Sequence, residues 1–248
     1  MPLSSISQKI IEESRSETIH LINFVKKKFD SDNSTKVWLI GGWAVDAYNS
    51  WYGSRDIDIM ASTKVVSELK KYLYFERGYK KYRGVDGIMR YYKEVGKEEI
   101  EIDFVKSVQS FQGTNDTMTI KISQENSVNL VMNSNATVIV PDRSILLGMK
   151  VKAAWDRRNM LENGRYRDRQ YLIDKITKDY GDIIALLDDR YIKNRPLNLQ
   201  YLHDEIFSKD YLRDLLKSLT LQDLHEFQYR SLSPKECSEM IARLLSIV

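Results

Sequence analysis

Asp56 and Asp58 flank Ile57, and Ile59 follows. In an extended strand, residues two apart share a face. Both carboxylates would then project one way, with Ile57 and Ile59 turned toward a core. Two carboxylates on one face repel each other unless a cation lies between them. A divalent ion such as Mg²⁺ or Mn²⁺ meets that need, since a hard cation takes one or two carboxylates together with substrate phosphates. The competing account is a solvated strand face, although aspartate is disfavoured in strands. A second segment, Glu99-Ile100-Glu101-Ile102-Asp103-Phe104, alternates in the same way. Glu99, Glu101 and Asp103 face one side; Ile100, Ile102 and Phe104 face the other. If this strand pairs with the Asp56 strand, it brings a third carboxylate to the site. Asp103 is the first choice and Glu101 the second, as metal ligand and as general base on an attacking hydroxyl.

Gly41 and Gly42 add a place for phosphate. They follow the short apolar run Val37-Trp38-Leu39-Ile40 and precede a helical segment. A strand, two glycines and a helix start put bare backbone N–H groups at a positive helix end. Ser54 has a hydroxyl to donate to a phosphate oxygen, and Arg55 is a nearby cation. Asp46, one turn into the helix, reads either as a site residue or as a complement to the helix dipole.

These residues need elements to carry them. Ile6, Ile10, Ile11, Ile19, Ile22 and Val25 form a helical stripe within residues 5–29, ending in Lys26-Lys27-Lys28. Val37–Ile40 reads as a buried strand, Trp43–Trp51 as a helix after the glycine break, Arg55–Met60 as a strand and Lys64–Phe75 as a helix. Strands are expected over Tyr79–Arg83, Ile88–Val95, Glu98–Val105, Thr117–Ile122, Val128–Met132 and Thr137–Val140, with a turn at Asn133-Ser134-Asn135. After Pro141 the patterning becomes helical: Ser144–Met160, Arg167–Lys178, Asp182–Leu187, Asn198–Phe207, Tyr211–Leu219, Leu221–Tyr229 and Pro234–Ile247. The order predicts an α+β fold, a mixed sheet with flanking helices followed by an all-α region. Residues 1–140 form the α/β domain with its N-terminal helix, and 141–248 the helical domain that completes the cleft. The helices after residue 196 serve as a core or as a dimer contact.

Bulk properties narrow the chemistry. The single cysteine, Cys237, rules out an internal disulfide and a thiolate zinc cage. His20, His203 and His225 share no ligand spacing, so a hard, oxygen-bound metal is expected. The net charge of +3 permits an anionic ligand without demanding a nucleic acid. No apolar run is long enough to span a bilayer, and Glu12, Glu13 and Glu17 argue against a signal peptide. A cytoplasmic protein with no membrane partner is the expectation.

The ordered set Gly41-Gly42, helix, Gly53-Ser54-Arg55-Asp56-Ile57-Asp58 and Ile102-Asp103-Phe104 resembles the nucleotidyltransferase superfamily, with its DNA-polymerase-beta-like fold. Gly41-Gly42-Trp43-Ala44-Val45-Asp46 is similar to the opening of aminoglycoside and lincosamide nucleotidyltransferases. The stretch Tyr48–Ser54 is shorter than theirs and lacks their Arg and His. A downstream block resembles the abortive-infection-type enzymes, toxins included: Val140-Pro141, Leu146, Leu147, Lys150, Ala153, Arg157, Arg158 and Lys178-Asp179-Tyr180-Gly181-Asp182-Ile183. The resemblance implies that Lys150 contacts nucleotide phosphates and that Asp179 orients it, with Lys152 as the neighbour open to confusion. On a helix, Lys150 would lie beside an apolar side of Ile145, Leu146 and Met149.

The implied activity is Mg²⁺-dependent transfer of a nucleoside monophosphate from an NTP, ATP included, to an acceptor hydroxyl. The acceptor is left open among a small molecule, RNA and protein. Arg157, Arg158, Arg165, Arg167 and Arg169, with Tyr166 and Tyr171, read either as a phosphate-binding stretch or as a solvated face interleaved with Asp156, Glu162 and Asp168. The alternatives are a toxin-type enzyme acting on tRNA or protein, and an inactive nucleotide-binding regulatory module.

Overall fold

The structure, a computed structural model, describes residues 7–29, 36–83, 89–105, 108–112, 117–132, 136–192 and 194–248. The expected turn at Asn133-Ser134-Asn135 lies outside these residues. The chain divides into two compact units. A sheet unit comprises Ile6–Val108 with Lys121–Pro141, and a helical unit comprises Asp142–Val248 with Gln109–Ile120.

The sheet unit runs α1 (Gln8–Phe29), β1 (Val37–Ile40), α2 (Gly41–Tyr48), β2 (Ile57–Ala61), α3 (Thr63–Glu76), β3 (Lys80–Arg83), β4 (Met89–Val95) and β5 (Glu98–Val105). A short pair, β6 (Val108–Gln112) with β7 (Thr117–Lys121), comes next; then β8 (Ser127–Met132) and β9 (Ala136–Pro141) return to the main sheet. β6 has no counterpart among the strands expected from sequence. The mixed seven-stranded sheet has the order β3-β4-β5-β2-β1-β9-β8. Its centre is parallel where β2 meets β5 and where β1 meets β9, and antiparallel between β1 and β2. Leu39, Ile57, Ile59, Ile100 and Ile102 are fully buried, as the alternation of β2 and β5 requires.

Two boundaries beside the carboxylates differ from the sequence reading. The helix expected from Trp43 begins at Gly41 and ends at Tyr48. Gly41 has φ +64°, so the chain swings from β1 into α2 without a separate turn. The strand expected from Arg55 begins at Ile57, with Arg55 and Asp56 in a bend before it. β1 ends at Ile40, opposite Asp58, so no neighbouring backbone on that side extends pairing to Asp56.

The helical unit contains α4 (Arg143–Glu162), α5 (Arg169–Leu187), α6 (Leu199–Tyr201), α7 (Asp210–Lys217), α8 (Leu221–Glu226) and α9 (Pro234–Ile247). α4 is buried on all sides from Arg143 to Lys152, where an amphipathic helix was expected. The two helices expected over 167–187 are one. Gly181 is buried within α5, and Lys178 bonds Asp182 across it at 2.9 Å. The helix expected over Asn198–Phe207 is the short α6 continued by a π-helical turn, Leu202–Ile206. No helix of the described residues is long and apolar enough to cross a membrane.

α1 is pinned to the sheet unit by a buried charge. Glu17 is fully buried. Arg77 donates to both its oxygens, at 2.7 and 3.2 Å, and Lys93 of β4 donates at 2.7 Å. Burial alone would raise the carboxyl pKa; the bonds from Arg77 and Lys93 outweigh it and hold the pKa below the usual range. A depressed pKa contributes stability above the unfolded value, lost as pH falls through the folded value. Glu17→Gln is expected to cost about 2 kcal/mol near neutral pH, because Arg77 and Lys93 lose the buried charge they share, although Lys93 keeps Glu13 at 3.1 Å. The difference from the parent chain in denaturant titrations is expected to shrink below about pH 4.

Candidate active site

Two of the three expected carboxylates, Asp58 and Asp103, meet on one row across the sheet, and Asp56 lies outside it in the bend before β2. Asp58 of β2 and Asp103 of β5 are register partners on adjacent parallel strands, so their side chains share a face. Ile40 lies opposite Asp58 on the other side, and Gly41 follows it. Both aspartates are half-buried. The row continues outward. The register that sets Tyr91 opposite Ile102 brings Arg90 of β4 beside Asp103, and Tyr82 of β3 lies opposite Arg90.

Gly41 shapes this row at close range. A Cβ built there would lie 1.9 Å from Asp58 Oδ2. The absent side chain is therefore the space that the Asp58 carboxylate occupies, directly against the first turn of α2. Glycine is required twice over, by the positive φ and by that contact.

The bend that carries Asp56 is held by a brace from α1. Ser14, buried in α1, donates to the Arg55 carbonyl at 2.8 Å and accepts from the Trp43 indole N–H at 3.0 Å. Gly53 has φ +84°, and a Cβ there would strike Ile11 at 2.7 Å and the Trp43 ring at 3.2 Å. Ser54 is buried beside it. One serine thus ties α1, the helix after the glycines and the bend before β2. Asp46 is also buried; Ser50 donates to it at 3.0 Å, and the Arg15 guanidinium lies 3.7 Å away.

Arginines engage two of the aspartates. Arg55 Nε donates to Asp56 Oδ1 at 3.1 Å, and Arg90 Nε lies 3.6 Å from Asp103 Oδ1. Glu101, the second choice for the third carboxylate, accepts from the Tyr82 hydroxyl at 2.8 Å. Among the described residues, no three His, Cys, Asp or Glu side chains close into a group able to hold a metal ion by themselves. An aspartate pair completed by phosphate oxygens needs fewer.

In the helical unit, Lys150 and Asp179 meet as expected, within a larger buried cluster. Lys150 Nζ lies 2.7 Å from Asp182 and 3.3 Å from Asp179. Lys178 shares Asp182, and Arg157 pairs with Asp179. Burial works against the Lys150 charge, but Asp182 and Asp179 outweigh it and raise the pKa. For Lys178, burial together with the Lys150 charge prevails over Asp182 and lowers it. Lys152 is separate. It pairs with Asp156 at 2.6 Å and lies 4.8 Å from the centre of the Trp155 ring.

Sequence reasoning passed over Ser14, Gly53 and Arg90. Ser14 and Arg90 carry no motif. The signal for Arg90 lay in the strand register, which would have aligned it with Asp103. Gly53 stood inside the motif but was read only as a flanking residue.

No family model and no curated protein matches this chain. Among solved structures it is similar to the antibiotic-resistance factor ANT(2'')-Ia, at 15% identity and TM-score 0.42, over 72% of this chain and 88% of that one. It is similar to the lincosamide antibiotic adenylyltransferase LnuA, at 16% identity and TM-score 0.38, over 67% and 94%. The STING-associated CdnE c-di-GMP synthase from Capnocytophaga granulosa aligns over 99% of this chain and 82% of its own, at 12% identity and TM-score 0.28. Likenesses this distant carry no argument about activity.

Gly41 and Gly96 separate the two demands placed on a glycine. Gly96 has φ +70° with open space around its Cβ position. Gly96→Ala is expected to cost about 1 kcal/mol for conformation alone. Gly41→Ala adds the collision with Asp58 and is expected to cost roughly 3 kcal/mol. Parallel denaturant titrations of the two variants check this; equal losses would show that the Asp58 contact is dispensable.

Proposed function

We propose that this chain is a metal-dependent nucleotidyltransferase, moving a nucleoside monophosphate from a nucleoside triphosphate to an acceptor hydroxyl and releasing pyrophosphate. The observation that carries the reading is the row in which Asp58 and Asp103 lie in register beside Gly41. Two half-buried like charges side by side are costly unless cations accompany them, and the donors are hard oxygens suited to Mg²⁺ or Mn²⁺. The Gly41 cradle, filled by the Asp58 carboxylate, fits that chemistry. A bound divalent ion would supply charge neutralisation and acidify an acceptor hydroxyl.

Asp58 and Asp103 are the proposed principal ligands, with Asp56 as the third. Asp103 takes the proton from the acceptor hydroxyl. The acceptor oxygen bonds to the α-phosphorus as the α–β bridging bond breaks and pyrophosphate leaves. The backbone N–H groups of Gly41 and Gly42 at the positive end of α2, with Ser54 and Arg55, hold phosphate oxygens. Residues 1–140 are the proposed nucleotide-binding domain and 141–248 a proposed helical domain, within which Lys150, oriented by Asp179, is a proposed phosphate contact. The protein is proposed to act in the cytoplasm.

The test incubates the protein with labelled NTPs and Mg²⁺ against pools of small molecules, RNA and protein. Asp58→Asn is expected to lower label transfer by at least about a thousandfold while keeping a cooperative thermal transition. Transfer that persists in the Asp56→Asn, Asp58→Asn double variant would sink the mechanism. In the same assay, Lys150→Met is expected to raise the KM for NTP roughly tenfold, whereas Lys152→Met leaves it unchanged.

A further inference from the structure

Arg90 has no place in the chemistry described so far, yet it stands on the same row. Tyr82, Arg90, Asp103, Asp58 and Ile40 lie side by side across five strands. Arg90 Nε approaches Asp103 Oδ1 at 3.6 Å, with the two side chains 24% and 36% exposed. The contact is longer than the 2.8 Å pair of Lys80 on β3 and Glu94 on β4 but more sheltered, since both of those partners are more than half exposed. The adjacent Glu101 accepts from the Tyr82 hydroxyl, and the carboxylate facing Arg90 on its own row is Asp103.

A guanidinium here does for the carboxylate pair what a metal would do. It supplies positive charge to Asp103, which otherwise repels Asp58. A divalent ion taken up by Asp58 and Asp103 must share the Asp103 oxygens with Arg90 and stand close to its charge. Like charges at such separation are costly in a partly buried setting. A triphosphate changes the balance, because its own negative charge offsets Arg90 while its oxygens fill the remaining metal positions.

We propose that Arg90 competes with the divalent cation for Asp103, so that the site takes metal tightly only in company with an anionic nucleotide. The inference rests on the nucleotidyltransferase reading of Asp58 and Asp103, and adds to it a positioning residue with a defined sign. Removing Arg90 strengthens binding of the bare metal, whereas a residue serving only the fold would weaken binding or leave it unchanged when lost.

The experiment measures free Mn²⁺ by electron paramagnetic resonance during titration of the 248-residue chain, without nucleotide and with a non-hydrolysable ATP analogue. Arg90→Gln is expected to bind Mn²⁺ alone roughly three- to tenfold more tightly than the parent chain. Arg90→Lys, which keeps the charge, is expected to stay within about twofold. Adding Asp58→Asn to Arg90→Gln is expected to abolish the gain, which assigns it to this site. Arg90→Met, which fills similar volume without charge, repeats the measurement should Arg90→Gln lose its cooperative melting transition. Unchanged or weaker Mn²⁺ binding in a folded, uncharged Arg90 variant overturns the competition. If the parent chain still binds Mn²⁺ with the analogue in a manner abolished by Asp58→Asn, only the role of Arg90 falls. If no Asp58-dependent Mn²⁺ binding appears even with the analogue, the nucleotidyltransferase reading falls with it.

Discussion

Asp58 and Asp103 are held side by side by the backbone ladder of β2 and β5, and the remainder of the sheet unit can be read from that constraint. Parallel pairing fixes the register through main-chain bonds that neither carboxylate can influence. The isoleucines on the opposite face add to the constraint. Ile57, Ile59, Ile100 and Ile102 are fully buried, and a slip of either strand by one residue would expose its two isoleucines while burying its acids. Hydrophobic burial thus enforces a repulsive contact that side-chain electrostatics alone would relieve. The charge is met by what surrounds it: Arg90 on one flank, and on the other the start of α2, where Gly41 leaves room for the Asp58 carboxylate and little else.

Asp56 is governed differently, because it lies outside the strand. Its place follows from the bend, and the bend follows from α1. Ser14 captures the Arg55 carbonyl and the Trp43 indole together, while Gly53 fits against Ile11 and Trp43 with no room for a side chain. α1 is in turn locked by Glu17 to Arg77 and Lys93. A substitution far from the carboxylates can therefore reach Asp56 through packing, while Asp58 and Asp103 stay in register. The first turn of α2 and the bend before β2 share Trp43 as a wall, so the expected phosphate-binding segment and Asp56 are set by one brace.

These two regimes explain what could be read in the sequence. Strand alternation is a local property, so the facing of Asp58, Glu101 and Asp103 was legible, as were the limits of β5 and the burial of the isoleucines. The partnership of Asp103 with Asp58, and of Glu101 with Tyr82, depends on which strands neighbour which, and one chain's pattern leaves that open. Asp56 was assigned to the strand because Ile57 and Ile59 continue its alternation. Only the end of β1 and the grip of Ser14 show that the strand starts later. In the helical unit, the gap expected between Lys178 and Asp182 is closed by the buried face of α5 and the Lys178–Asp182 bond. Lys150 and Lys152 are alike on paper. They differ because one faces the carboxylates of α5 and the other turns to Trp155 and Asp156.

The cluster around Lys150 is poorly explained as a device for stability. Burying ion pairs seldom repays their desolvation, and apolar residues of similar volume would pack α4 against α5 at lower cost. In the described pairs, Lys150, Lys178 and Arg157 converge on Asp179 and Asp182. The strain of gathering these cations falls on Lys178, whose pKa is lowered by burial and by its neighbour Lys150. Lys150 keeps its proton because both aspartates support it. The arrangement fixes one ammonium in a charged state and a defined position, while Arg157, about one-third exposed, carries the cluster toward solvent. A fixed ammonium of that kind meets an anion with little reorganisation, which suits the phosphate contact proposed for Lys150.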